Sequence, residues 1–135
     1  MKIIARCLCV VFLILWGNVA LACVIENTAN SLKGAGEIYV ASVTTIPAQV
    51  LVGKPFLVRV SVCSKNGQSF LGDIKINAMM PMHKHGMNYK PSVQKISDGT
   101  FEIKGFVFHM PGKWQYKIDL NQGDSSDKVL IDYKL

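Results

Sequence analysis

The chain lacks the residue patterns that mark the common catalytic sites. It has no serine-centred nucleophile elbow, no glycine loop for phosphate, no histidine–glutamate zinc helix and no carboxylate pair beside its histidines. It also lacks a basic cluster interleaved with aromatic residues, because its lysines are spread along the whole chain. These absences predict a protein that is not an enzyme and does not bind nucleic acid.

Long apolar runs are missing too, apart from one near the start. Residues 7–16 are apolar, follow Lys2 and Arg6 and precede Ala20-Leu21-Ala22, which is the layout of a secretory signal with a small-residue cleavage site. The run is about half of the ~20 residues that a membrane-spanning helix needs. Cleavage after Ala22 would leave 113 residues (135 minus 22) and reduce the formal charge from +6 to +4 by removing two cations. This predicts a signal peptide over residues 1–22 and one exported domain, in the periplasm or cell envelope, with no membrane span.

Cysteine is scarce once the predicted signal is removed, because only Cys23 and Cys63 remain. In an oxidising compartment these two can form a disulfide that pins the N-terminal segment to the domain. Alternatively, Cys23 directly follows the cleavage site and carries the lipid tether of a bacterial lipoprotein, although Ala20 replaces the leucine usually found three residues upstream. The disulfide is favoured, because acylation of Cys23 would leave Cys63 as an odd thiol.

Helical periods are absent, and the pattern after Ile38 is that of strands. Apolar residues alternate with polar ones in four clear stretches, and turn signals such as Lys65-Asn66-Gly67 separate them. This predicts an all-β domain over residues 38–135, an antiparallel two-sheet immunoglobulin-like sandwich of about seven strands. Residues 23–37 show no apolar period and are predicted to be a flexible N-terminal segment. The alternating apolar positions are 56, 58, 60 and 62; 74, 76, 78 and 80; 114, 116, 118 and 120; and 129, 131, 133 and 135.

One stretch changes phase. Phe101 and Ile103 place odd-numbered residues on the apolar face, whereas Phe106 and Phe108 place even-numbered ones there, and Gly105 lies between them. A β-bulge at Gly105 would absorb this slip. The alternative is that Gly105 relieves crowding where the strand bends.

Histidine and methionine are strongly segregated. Every histidine, and every methionine after the first residue, lies within residues 79–87 or 109–110. Methionine ordinarily scatters through a core as a gap filler, and thioether with imidazole is a donor set that suits copper. Zinc fits less well, because neither stretch contains the cysteine or carboxylate that its sites usually include. The pattern predicts a copper site, with the alternative that Pro81 and Gly86 bound a structural corner in an interaction module that supports an envelope complex.

A preference among the ligands follows from spacing. If residues 82–87 run extended, then His83, His85 and Met87 project to one side. Residues 109–110 can supply a further ligand if their strand pairs near Ile76. Met79, Met80 and Met110 are expected rather to fill the core, because they continue apolar faces. The predicted metal ligands, in order of preference, are His83, His85, Met87, Met82, His109 and Met110.

The blocks Met80-Pro81-Met82-His83-Lys84-His85-Gly86-Met87 and Met110-Pro111-Gly112-Lys113-Trp114 carry a family resemblance. Together they resemble the YtkA-like domain family, which is related to FixH, over roughly residues 46–120. The resemblance implies a small immunoglobulin-like domain exported to the cell envelope, in a family often associated with copper handling or oxidase assembly. FixH-type members keep a membrane anchor, whereas this chain has a removable signal. The resemblance therefore implies an envelope role more than oxidase assembly.

Overall fold

The computed structural model describes residues 22–135, which form nine strands in two antiparallel sheets. One sheet has the order β1-β2-β3-β7-β6 and the other β5-β4-β8-β9. The strands are β1 (Ser31–Ala35), β2 (Tyr39–Ile46), β3 (Pro55–Ser64), β4 (Asp73–Met80), β5 (His85–Gly86), β6 (Ser92–Ser97), β7 (Thr100–Val107), β8 (Lys113–Gln122) and β9 (Ser125–Lys134). This confirms the predicted all-β, two-sheet sandwich.

Within the described range no helix is long and apolar enough to cross a membrane. The predicted signal peptide, apart from Ala22, lies outside the described residues.

The core forms where the alternating apolar residues of both sheets face each other, as the period of two predicts. In β4, Ile74, Ile76 and Ala78 are buried, while Lys75 and Asn77 point away from the core. Aromatic rings fill the centre, and the largest fully buried side chains are Trp114, Tyr116, Phe70, Phe101, Phe106 and Phe108.

The predicted bulge at Gly105 is confirmed. Phe56 pairs with Phe106 but Val58 pairs with Ile103, so that Leu57 faces two residues of β7 instead of one. Gly105 has a φ of 96°, a conformation that costs glycine little and other residues more. The bulge keeps both halves of β7 facing the core and directs the chain after Phe108 toward the end of the sandwich.

Nine strands are found where about seven were expected, and three of the nine, β1, β5 and β6, show no alternation in the sequence. β1 lies inside the segment 23–37 that was predicted to be flexible, and its residues pair with β2 from Ser31 to Ala35. β6 has all six residues exposed, and β5 has only two residues. None of the three has the half-buried surface that produces an apolar period.

The disulfide between Cys23 and Cys63 is present, with a Cα–Cα distance of 5.7 Å. The backbone N–H of Cys23 also donates to the carbonyl of Gly67 at 3.1 Å. Together these contacts fix the start of the described chain to the end of β3. The lipid-tether alternative requires the same sulfur atom that forms this bridge.

Candidate metal centre

Two connections meet at one end of the sandwich and carry all three histidines. One joins β4 to β6 through residues 81–91, and the other joins β7 to β8 through residues 108–112. They meet because β4 pairs with β8 in antiparallel register, with Met79 opposite Gln115 at the end of β4. The sequence-based condition that the strand of Phe106 pairs beside that of Ile76 is wrong, because β7 pairs with β3 and β6 in the other sheet. The disulfide lies near Ser64, at the opposite end of β3 from Pro55 and this site.

The first connection turns sharply instead of running extended. The N–H of His83 donates to the carbonyl of Met80 at 3.1 Å, and Lys84 has a φ of 53°. His85 then returns to pair with Met80 in β5. The condition that residues 82–87 run extended is therefore not met, because a turn after Met80 interrupts the strand. The turn nevertheless brings the rings of His83 and His85 to a centroid distance of 5.7 Å.

The second connection is held from two neighbouring segments. The N–H of Gly53 donates to the carbonyl of Phe108 at 2.8 Å, and Gly112 exchanges two backbone hydrogen bonds with Leu135 at 3.1 and 3.0 Å. Inside the loop, the indole N–H of Trp114 donates to the carbonyl of Met110 at 3.1 Å. These bonds fix the backbone on both sides of His109, whose side chain is exposed.

The three histidines form a row with His85 in the middle, and we call His83, His85 and His109 the histidine row. The ring of His85 lies 5.7 Å from that of His83 and 5.2 Å from that of His109, measured between centroids. His85 is half-buried, whereas His83 and His109 are exposed. The structure thus brings His109 closer to His85 than His83 is, although sequence spacing ranked His109 after four other residues.

Trp114 lies beneath the row. Its buried indole makes T-shaped contacts with His109 at 5.4 Å and with His85 at 6.4 Å between ring centroids. On the core side it stacks on Phe108 at 4.3 Å with an interplanar angle of 11°. The alternating pattern of β8 predicted Trp114 as core, and nothing in the sequence indicated its contact with the histidines.

The methionines divide between core and surface. Met80 is 1% exposed, and Met87 and Met110 are half-buried against the core. The core role predicted for Met80 and Met110 is therefore confirmed. The core role predicted for Met79 is wrong, because this residue shares the outward face of Lys75 and Asn77 and lines a surface groove. Met82 is 84% exposed, so its thioether is free to move in solvent.

The histidine row is not a ready-made cage for a metal ion. Among residues 22–135 no three His, Cys, Asp or Glu side chains are already arranged to hold a metal ion. Each neighbouring pair of histidines nevertheless has a suitable spacing, because two imidazoles bound to one ion at about 2.0–2.1 Å have ring centroids roughly 5–6 Å apart. Both cysteines of the described chain are in the disulfide and cannot bind metal as thiolates. The spacing of each neighbouring pair is therefore compatible with a two-histidine site.

A scan of the chain against protein-family models finds no match, and a search of curated protein sequences finds none either. The likeness to YtkA-like domains therefore stays a prediction.

Proposed function

We propose that this chain is an exported envelope protein that binds copper at the histidine row and takes part in copper handling or delivery. The observation that carries the proposal is the approach of His109 to within 5.2 Å of His85, although the two residues come from separate connections. This spacing lets one ion bind both rings, although they come from segments distant in sequence. The resemblance to YtkA-like domains supports the same role.

The donor set favours Cu(I) over a divalent ion. Imidazole and thioether are neutral ligands, and within the described residues no carboxylate forms an ion pair with any of the three histidines. Lys84 lies between His83 and His85 in the chain and adds positive charge to the site. The positive charge of Lys84 repels a divalent metal ion more than a monovalent one. Thioether sulfur also prefers Cu(I).

The exposure of the site supports exchange of the metal more than permanent storage. His83 and His109 are exposed and Met82 is 84% exposed, so a second protein can reach the row directly. A metal held by two or three ligands at a surface can pass to another protein by stepwise replacement of one ligand at a time.

The competing interpretation is a structural corner in a module that binds an envelope partner. Exposed side chains ordinarily contribute little to folding stability, and two of the three rings are exposed. Their exposure therefore supports a binding role more than a structural corner. The two interpretations give opposite results when the rings are removed.

The test is an anaerobic titration of the exported protein with Cu(I) against a competing chelator, with Cu(II) and Zn(II) titrated in parallel. We expect one Cu(I) per chain, bound more tightly than the divalent ions, and loss of binding in the His83→Ala/His85→Ala double variant with little change in melting temperature. Asn88→Ala, an exposed change in the same connection, serves as the control. Binding no tighter than micromolar for all three metals, together with a lower melting temperature in the double variant, would support the corner.

A further inference from the structure

The sandwich has an open edge next to the histidine row. β4 pairs with β8 along most of its length but with β5 only at Met79 and Met80. The carbonyl of Ala78 accepts the N–H of Met87 at 3.3 Å, which places the backbone groups of Ala78 on the β5 side. Because alternate residues of a strand face the same edge, Ile76 and Ile74 direct their N–H and C=O groups to that side as well. Over residues 73–78 no strand of the described chain covers this edge.

A groove of about 680 Å³ runs along this edge, and we call it the β4 groove. It combines apolar and cationic side chains. Met79 and Val93 supply apolar surface, and the turn at Lys84 and His85 forms part of its wall. The groove therefore lies directly against the central residue of the histidine row.

The charge of the β4 groove is one-sided. Four lysines and a single carboxylate line it, and that carboxylate, Asp119, already lies 3.7 Å from the ammonium of Lys117. Among residues 22–135 the other three, Lys75, Lys84 and Lys90, have no carboxylate within ion-pair distance. An incoming segment that carries negative charge would find three lysines without an ion-pair partner.

On the opposite side of the sandwich, β1 and β9 are in direct contact. There Gly34 of β1 approaches β9 so closely that a Cβ atom would lie 2.7 Å from the carbonyl oxygen of Leu130. The carboxylate of Asp127 accepts backbone N–H groups from Glu37, Ile38 and Tyr39. One pair of sheet edges is thus joined by direct contacts, whereas the edge of β4 is left open next to the histidine row.

We propose that the β4 groove binds an extended acidic segment of a protein partner, which adds a strand to β4 in line with β5. Backbone hydrogen bonds to Ile74 and Ile76 would hold the segment in register, and carboxylates would pair with Lys75, Lys84 and Lys90. The end of the added strand would lie beside His85. The idea that this partner exchanges metal with the histidine row rests on the proposed function. Binding of the acidic segment to the β4 groove requires no metal.

The test uses fluorescent synthetic peptides of about six residues, the usual strand length, that alternate glutamate with valine. Fluorescence anisotropy is measured on the disulfide-bonded protein without metal. We expect saturable binding that weakens with salt and falls about tenfold or more in the Lys75→Glu/Lys90→Glu variant. The matched control, Lys33→Glu/Lys65→Glu, makes the same change of charge outside the groove and is expected to keep the affinity of the unaltered protein.

Two further arms separate the explanations. A peptide N-methylated at alternate residues cannot donate to the carbonyls of the open edge, and we expect it to lose binding. The His83→Ala/His109→Ala variant, which changes no residue of the groove, is expected to bind the peptide normally even if copper binding is absent. Equal binding of the N-methylated peptide, equal loss in the control variant, or binding to phosphatidylglycerol vesicles with none to the peptide would overturn the proposal. So would absence of peptide binding with aggregation of the Lys75→Glu/Lys90→Glu variant, because the lysines would then only protect the edge.

Discussion

At the scale of single residues, the sequence predicted which residue types form the candidate metal site. It did not predict which histidines lie closest together. The segregation of histidine and methionine identified every side chain of the candidate site. The nearness of His109 to His85 was not predicted, because the position of His109 depends on bonds from Gly53 and Leu135, which are distant in sequence. Sequence spacing contains no information on such contacts. His85, at the centre of the row, therefore ranks above His83, and His109 ranks with His83.

Lys84 is held in a conformation that costs free energy. Its φ of 53° lies in the left-handed region, where a side chain is unfavourable and glycine is not. We expect Lys84→Gly to raise the free energy of unfolding by about 1 kcal/mol, measured by urea denaturation. Lys84→Ala keeps the Cβ atom and should show no such gain. An equal gain in both variants would mean that loss of the charge, and not relief of the backbone, is responsible.

At the scale of strands, prediction succeeded where one face is buried. In residues 74–80 and 114–120, apolar and polar residues alternate, and the apolar ones are those whose side chains face the core. Gly105 could be assigned a bulge for the same reason, since the apolar phase shifts around it. β6 is exposed at every residue and β1 is mostly exposed. These two strands form because they pair with neighbouring strands, and their own sequences carry no alternation that would predict them.

Asp127 joins two strands that belong to different sheets. Asp127 lies in β9, and its carboxylate accepts N–H groups of Glu37, Ile38 and Tyr39 at the start of β2. We expect Asp127→Ala to lower the free energy of unfolding by about 1–2 kcal/mol, a value reduced because the contacts are partly exposed. Asp124→Ala in the same hairpin is the control and should have little effect.

The contribution of Asp127 should also depend on pH. Burial alone would raise the pKa of this carboxyl, but the backbone N–H donors outweigh burial and lower the pKa below its ordinary value of 3.8. Stabilisation is therefore full above pH 3.8 and is lost as the pH falls through the lower pKa of the folded state. Acid titration followed by circular dichroism should show a smaller loss of stability below that pH in Asp127→Ala than in the unaltered protein. Identical acid profiles would contradict this role.

At the scale of the whole molecule, the sandwich has two different ends and two different sides. The disulfide fixes one end, and the histidine row occupies the other. The sheets are in direct contact at β1 and β9, whereas the groove beside β4 is lined with lysines. The architecture could be predicted from the number and spacing of strands. These asymmetries could not, because they depend on which strands become edges.

The disulfide should contribute strongly to global stability. It links residues separated by 40 positions, and restriction of the unfolded chain by a loop of that length is worth about 4 kcal/mol on the chain-entropy account. We expect the Cys23→Ser/Cys63→Ser variant to lose stability of that order in denaturant titrations. Reduction of the unaltered protein should produce a similar loss. A change below about 1 kcal/mol in both would show that the N-terminal segment is not coupled to the fold.

The most direct test of the histidine row compares Cu(I) affinity among three single variants, His83→Ala, His85→Ala and His109→Ala, by anaerobic chelator competition. The arrangement predicts the largest loss for His85→Ala, because it removes the ring shared by both pairs, and smaller losses of similar size for the other two. If Cu(I) affinity falls in His83→Ala and His85→Ala but not in His109→Ala, the connection that carries His109 does not contribute to the site. Equal affinity in all three variants would contradict the site itself.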